Sequence, residues 1–166
     1  MDLHPLIGRF GLAPHPEGGW YRELHRSVSS VERADGERRS GLTAILFLLD
    51  AGAVSRWHRV RGADETWHFA AGDPLELLVL PPQTGLIERR RLGPVMIDGP
   101  AHSASGDPMT APLAVVPAGC WQAARSLGPW TLVSCCVGPG FEFADFCLLR
   151  DLPRAEWPAE ALEAFL

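Results

Sequence analysis

The stretch Gly52–Gly72, GAVSRWHRVRGADETWHFAAG, decides the fold. It contains two strand-like runs, SRWHRV and ETWHFA, joined by the turn-forming RGAD. Side chains two apart on a strand share a face. With His58 pointing inward, Val54, Arg56 and Val60 point inward too, and Trp57 and Arg59 point outward. In the second run Glu65, Trp67 and Phe69 share one face and His68 takes the other. His68 is therefore expected on the back of its sheet, as a core or interface residue, unless a bulge shifts the register.

The same short-strand texture extends in both directions. TAILFLL, LELLVL, LIERRRL, LAVVP, CWQAARS, WTLVSCCV and DFCLL are apolar or alternating runs separated by turn residues. About nine such strands in one chain predict an all-β, closed or double-sheet architecture. Leu3, Leu6, Ile7 and Phe10 predict a short helix over about 2–12, and LPRAEWPAEALEAFL a C-terminal helix over about 153–166. Residues 27–40 are polar and charged and read as an exposed loop. Residues 93–112 form the one long irregular stretch.

With 166 residues the chain suits one domain, 1–166, with the barrel over about 18–150. A net charge of −5 argues against a nucleic-acid polymer as partner. The ERRR run at 88–91 carries no interleaved aromatic, so it reads as a solvated face. No apolar run approaches the roughly 20 residues of a spanning helix, so no membrane partner is expected. The N-terminus lacks a secretory signal pattern. The four cysteines form no C-x-x-C pair and are expected as reduced thiols in a cytoplasmic protein.

The spacing Gly52-x5-His58-x-Val60-x4-Glu65-x6-Gly72 resembles the first signature of the cupin superfamily, with Val60 at its second histidine. Downstream, PAGCWQAARS resembles the second signature, with Gln122 at the histidine position and Ser126 at the asparagine position. HPEGGWYRE, SRWHRV, ETWHF, GPWTLV and GPGFEFADF extend the likeness to the cupin-5 family, from about His15 to Leu149. The resemblance implies a double-stranded β-helix (cupin jelly-roll) barrel, a dimer, and a small-ligand pocket inside the barrel. It leaves the reaction open.

Carried onto this chain, the resemblance converges His58, Glu65 and Gln122. Metal enzymes want two or three histidines with a carboxylate, and Val60 supplies nothing. The expectation is therefore no metal cofactor; a divalent metal, if present, would be held by His58, Glu65 and Gln122. Without a metal, His58 beside Glu65 forms a general-base pair in which the carboxylate raises the imidazole pKa. Tyr21, the chain's single tyrosine, is the phenolic candidate for a general acid. Arg56, His58, Glu65, Trp67 and Phe69 form one expected ligand-binding wall, and Gln122 and Arg125 the other. The ligand class is a sugar, nucleotide or sugar nucleotide, anionic and ring-bearing, with its ring on Trp67 and its charge on arginine.

The dTDP-sugar 3,5-epimerases resemble this barrel type and use a metal-free histidine base, so epimerase- or isomerase-like chemistry is the leading expectation. That is analogy at the level of the fold. The alternatives are a non-catalytic ligand-binding or sensor module, and a metal-dependent cupin with a reduced ligand set. In HPEGGWYRE, one reading puts Tyr21 or Trp20 at the pocket mouth with Glu17 as an additional acid. The other makes Gly18–Gly19 a bulge opening an edge strand against a partner subunit. A homodimer with residues 18–26 near its interface is expected. GFEFADF alternates, and its default reading is core packing.

Overall fold

The computed structural model describes residues 4–95 and 109–166. A short helix, α1 (Pro5–Phe10), opens the chain, with proline in its first turn and Gly11 ending it in the left-handed region. Fourteen strands follow in the described residues. They are β1 (Ala13–Pro14), β2 (Trp20–Arg26), β3 (Ser30–Glu32), β4 (Arg38–Ser40), β5 (Thr43–Leu49), β6 (Val54–Val60) and β7 (Asp64–Gly72). Then come β8 (Leu75–Leu80), β9 (Glu88–Leu92), β10 (Thr110–Ala111), β11 (Leu113–Val116), β12 (Trp121–Ser126), β13 (Thr131–Gly138) and β14 (Phe146–Leu148).

Two six-stranded sheets form the barrel, ordered β1-β2-β5-β13-β7-β11 and β10-β9-β8-β12-β6-β14. Apart from β1–β2, β8–β9 and β9–β10, neighbouring strands in the sheets are not consecutive in the chain, as in a jelly roll. Between the sheets lie Phe47, Leu49, Trp67 and Val133 from one side and Leu75, Leu77, Val79 and Leu92 from the other.

β8 (LELLVL) is apolar on both faces because both are covered. Leu78 and Leu80 pack outward with Trp57, Trp121, Leu149 and Phe165. That outer layer comes from the C-terminal segment, which differs from the expected helix. It forms single 3-10 turns at Arg154–Glu156 and Glu163–Phe165. Pro158 explains the break: it disfavours helical geometry at the preceding Trp157, which is extended (φ −76°, ψ 135°). On the opposite face α1 buries Ile7 against Leu48 and Leu132.

Two further expectations are corrected. The exposed loop over 27–40 contains the hairpin β3–β4. The hairpin is tied down by Arg33 and Arg39, which both grip the buried carboxylate of Asp145 at distances of 2.8–3.3 Å. The segment GFEFADF is broken by a 3-10 turn at Phe143–Asp145, so its alternation does not build a strand core. Most of the irregular stretch 93–112 lies outside the described residues. The cysteines are free thiols, Cys120 and Cys135 buried. No helix among the described residues is long and apolar enough to cross a membrane.

Candidate functional site in the barrel

One register shift sets the interior face of β6. Its pairing with β12 runs His58 to Gln122, then Ser55 to Ala124, so the strand carries an extra residue between them. His58 and Val60 face inward as expected. Upstream of the bulge the face inverts. Ser55 points in, Val54 packs with the outer cluster, and Arg56 does not line the cavity. The Arg56 guanidinium instead donates to the Glu17 carbonyl oxygen at 3.1 Å. The expectation of an inward Arg56 meeting a ligand charge is overturned by this bulge.

His58 is 1% exposed. Its Nδ1 lies 2.7 Å from the Arg56 carbonyl oxygen, and a carbonyl only accepts, so Nδ1 carries a proton and Nε2 is the nitrogen turned toward the cavity. Nε2 stands 3.3 Å from Oε2 of Glu17, not beside Glu65. The same Oε2 is 3.3 Å from Nδ1 of His15, and that nitrogen also accepts the Glu17 backbone N–H at 3.3 Å. Oε1 of Glu17 accepts the Ser55 hydroxyl at 2.7 Å. Burial lowers the His58 pKa, and the Glu17 charge only partly opposes it. Burial works against ionisation of Glu17, but His58, His15 and the Ser55 hydroxyl outweigh it and hold the carboxyl below its ordinary value. The two share one buried contact and titrate as a unit, with a proton held between the carboxylate and the imidazole.

Glu65 has a different environment. The Trp67 indole, which can only donate, gives its N–H to Oε1 of Gln122 at 2.9 Å. That turns the Gln122 amide nitrogen to Oε2 of Glu65 at 2.6 Å. Burial, together with the nearby Glu17 charge, pushes the Glu65 pKa up to about 8. At neutral pH it is a carboxylic acid, and the predicted general-base pair of His58 with Glu65 is replaced by His58 with Glu17.

These groups lie in a cavity of about 310 Å³. Tyr21, Phe47, Trp67, Phe141, Phe143 and Phe146 supply its aromatic walls and mouth. Phe143 is 53% exposed at the mouth, and it stacks on His15 with ring centroids 6.1 Å apart. Of the predicted ligand-binding residues, His58, Glu65, Trp67 and Tyr21 line this space. Gln122 is a buried support behind it, and Phe69 packs into the core. Arg125 is on the outer surface, 2.8 Å from Glu76 and over the Phe165 ring. His68 is exposed on the far face of β7, its Nε2 3.0 Å from the Thr66 hydroxyl.

His15 and the floor position of Glu17 are what sequence reasoning missed. The signal is Gly18–Gly19, at φ 111° and 67°. A Cβ on Gly18 would overlap the Val54 carbonyl oxygen, and one on Gly19 would stand 2.7 Å from that of Leu48. Only glycines let this segment press against β5 and β6, and that pressing pushes Glu17 into the barrel.

The residues at the cupin ligand positions do not fit a metal. Val60 packs in an apolar cluster with Ala63 and Val137. Gln122 spends both ends of its amide on Trp67 and Glu65, and Glu65 is held as the neutral acid. No group of three or more His, Cys, Asp or Glu among the described residues is arranged to hold a metal ion.

A jelly-roll barrel with an enclosed, aromatic-walled small-molecule cavity defines the class: a cupin. The chain belongs to the cupin-5 family, whose model, described as cupin superfamily (DUF985), matches residues 4–149. It is similar to a hypothetical protein from Leishmania major at 31% identity, over 96% of this chain and 93% of that one, with a TM-score of 0.75. A protein from Shewanella oneidensis is 33% identical over 89% of this chain and 84% of that one, with a TM-score of 0.73. Bacillus subtilis oxalate decarboxylase shares the fold alone: 16% identity, 83% of this chain, 30% of that chain and a TM-score of 0.54. No curated protein matches the chain. Family membership supports a small-molecule-binding cupin.

Proposed function

We propose that the barrel binds a ring-sized small molecule of the sugar, nucleotide or sugar-nucleotide type and transfers a proton on it without a metal, as an epimerase or isomerase does. The observation that carries this is the opposed pair of acid–base groups in one cavity. His58 and Glu17, 3.3 Å apart, form a dyad that can accept a ligand proton, while Glu65 is an un-ionised acid at neutral pH. Titratable groups pushed apart by their environments mark acid and base roles. Tyr21, at the wall, is a second proton donor within the same space.

A volume of 310 Å³ has the room of about ten waters, enough for one sugar or base ring. The rest of a larger ligand would stand at the mouth, near Arg22 and Arg26. Free thiols at all four cysteines support a reducing compartment, the cytoplasm. The open outer edge of β2 supports a homodimer.

The test is a panel of sugars, sugar phosphates and nucleotides, titrated by tryptophan fluorescence and then incubated in deuterated water. Solvent deuterium entering a carbon position of the ligand, lost in His58→Ala while binding persists, supports the reading. Binding without exchange makes the protein a binding or sensor module instead. Activity that disappears with chelator and returns with metal overturns the metal-free mechanism.

A further inference from the structure

Two buried carboxyl groups, Glu17 and Glu65, line one cavity, and their partners divide them. Glu17 is met by Nε2 of His58 and Nδ1 of His15, each at 3.3 Å, and by the Ser55 hydroxyl at 2.7 Å. Glu65 enters no ion pair among the described residues. Its neighbours across the sheet are Val137 on one side and Val116 on the other. Its polar partners are the neutral Gln122 amide and the Cys135 thiol, a weak donor. Two like charges are costly in a shared dry interior, and the carboxyl without a cation is the one that keeps its proton.

The hydrogen bonds also fix where that proton sits. Trp67 donates to the Gln122 carbonyl, so the amide nitrogen is turned to Oε2 of Glu65, 2.6 Å away. Oε2 is therefore the carbonyl oxygen of the acid, and the hydroxyl is at Oε1. Oε1 has no strong acceptor among the described residues, and it opens onto the cavity that Glu65 lines. The Glu65 hydroxyl is a donor that the protein itself leaves unmatched.

We infer that the ligand carries a carbonyl oxygen and seats it on Oε1 of Glu65, so that the substrate class is an aldehyde or ketone with a C–H beside its carbonyl. This rests on the proposed small-molecule reading and narrows it. A carbonyl oxygen accepts and has nothing to donate, which is what the Glu65 hydroxyl requires. A ligand hydroxyl would bring a proton of its own to a place with no strong acceptor. The carbonyl also joins the two ends of the cavity in one reaction. The C–H proton passes to the His58–Glu17 dyad, and the electron pair it leaves forms the carbon–carbon double bond of an enol. The carbonyl π pair takes the Glu65 proton to complete the enol O–H. Reversal returns both protons and leaves the protein unchanged.

The test uses three rings of one size: cyclohexanone, methylenecyclohexane, in which carbon replaces the oxygen, and cyclohexylammonium. Ligand-observed NMR follows binding in chelator-treated buffer from about pH 6 to 10, for wild type and Glu65→Gln. Near neutral pH wild type should prefer the ketone to the methylene compound by about fivefold or more, the scale of a buried donor left unpaired. The preference should fade as pH rises past about 8, where Glu65 ionises. Glu65→Gln offers Gln122 the same acceptor and the cavity an N–H donor, so it should keep the preference throughout. Glu17, His15, His58, Tyr21 and Cys135 line the cavity in both proteins, so the difference between them reports on Glu65. Equal binding of ketone and methylene compound, tighter binding of the ammonium, a preference unchanged to pH 10, or its loss in Glu65→Gln overturns the carbonyl inference and leaves the small-molecule reading standing. If no ring binds at any pH, both fall. Should Glu65→Gln fail to fold, the wild-type ranking and its pH profile decide.

Discussion

Glu17, whose carbonyl oxygen accepts the Arg56 N–H of β6 at 2.8 Å, places Oε2 3.3 Å from Nε2 of His58, while its other oxygen takes the Ser55 hydroxyl at 2.7 Å. The contact joins the turn before β2 to the middle of β6. It couples a buried carboxylate to a buried imidazole at the cavity floor.

Ser55→Ala should therefore destabilise the protein by about 1–3 kcal/mol, because a buried carboxylate loses its one hydroxyl donor. Urea unfolding measures this. A change below about 0.5 kcal/mol, the scale of an inconsequential substitution, would mean that the hydroxyl does not support Glu17.

Glu65 ties stability to pH. Its folded pKa of about 8 lies above its ordinary 4.5, so the folded state holds a proton that the unfolded state has released. Its contribution is complete below about pH 4.5 and falls away as pH rises towards 8, by up to about 1.4 kcal/mol per unit. Above that the curve flattens. Glu65→Gln keeps a neutral acceptor for Gln122 and should remove this slope. Parallel stability–pH curves for wild type and variant would show that Glu65 ionises normally.

Gly18→Ala should cost at least about 1–3 kcal/mol, since φ 111° is closed to alanine and its Cβ would overlap the Val54 carbonyl. The displaced segment carries Glu17 and His15, so ligand binding should weaken as well. Gly36→Ala, also at positive φ but with open space around it, controls for backbone strain alone and should leave binding intact.

The outer edge of β2 should be an interface. β1 pairs only with Trp20 and Tyr21, and no other strand among the described residues pairs along that edge from Arg22 to Arg26. Leu24 is 55% exposed there. An unpaired edge invites a second copy. Sedimentation should show a dimer at micromolar concentration, shifted towards monomer by Leu24→Lys. A wild-type monomer would leave the edge without that role.

Much of this protein was legible in its sequence, because strand periodicity and turn glycines act through near neighbours. The runs around His58 and Glu65, the outward side of His68 and the two signatures in order follow from spacing, and they determine a cupin barrel. Arg56 was misplaced because a bulge between β6 and β12 depends on a partner strand more than sixty residues away. The C-terminal helix failed for a local reason, the conformational demand of Pro158 on Trp157. The floor of the site was decided by tertiary structure alone. Which carboxylate meets His58, and which is held neutral, depends on burial and on the packing of the Gly18–Gly19 turn against β5 and β6. Those are properties of the closed barrel, where segments far apart in the chain share one dry interior.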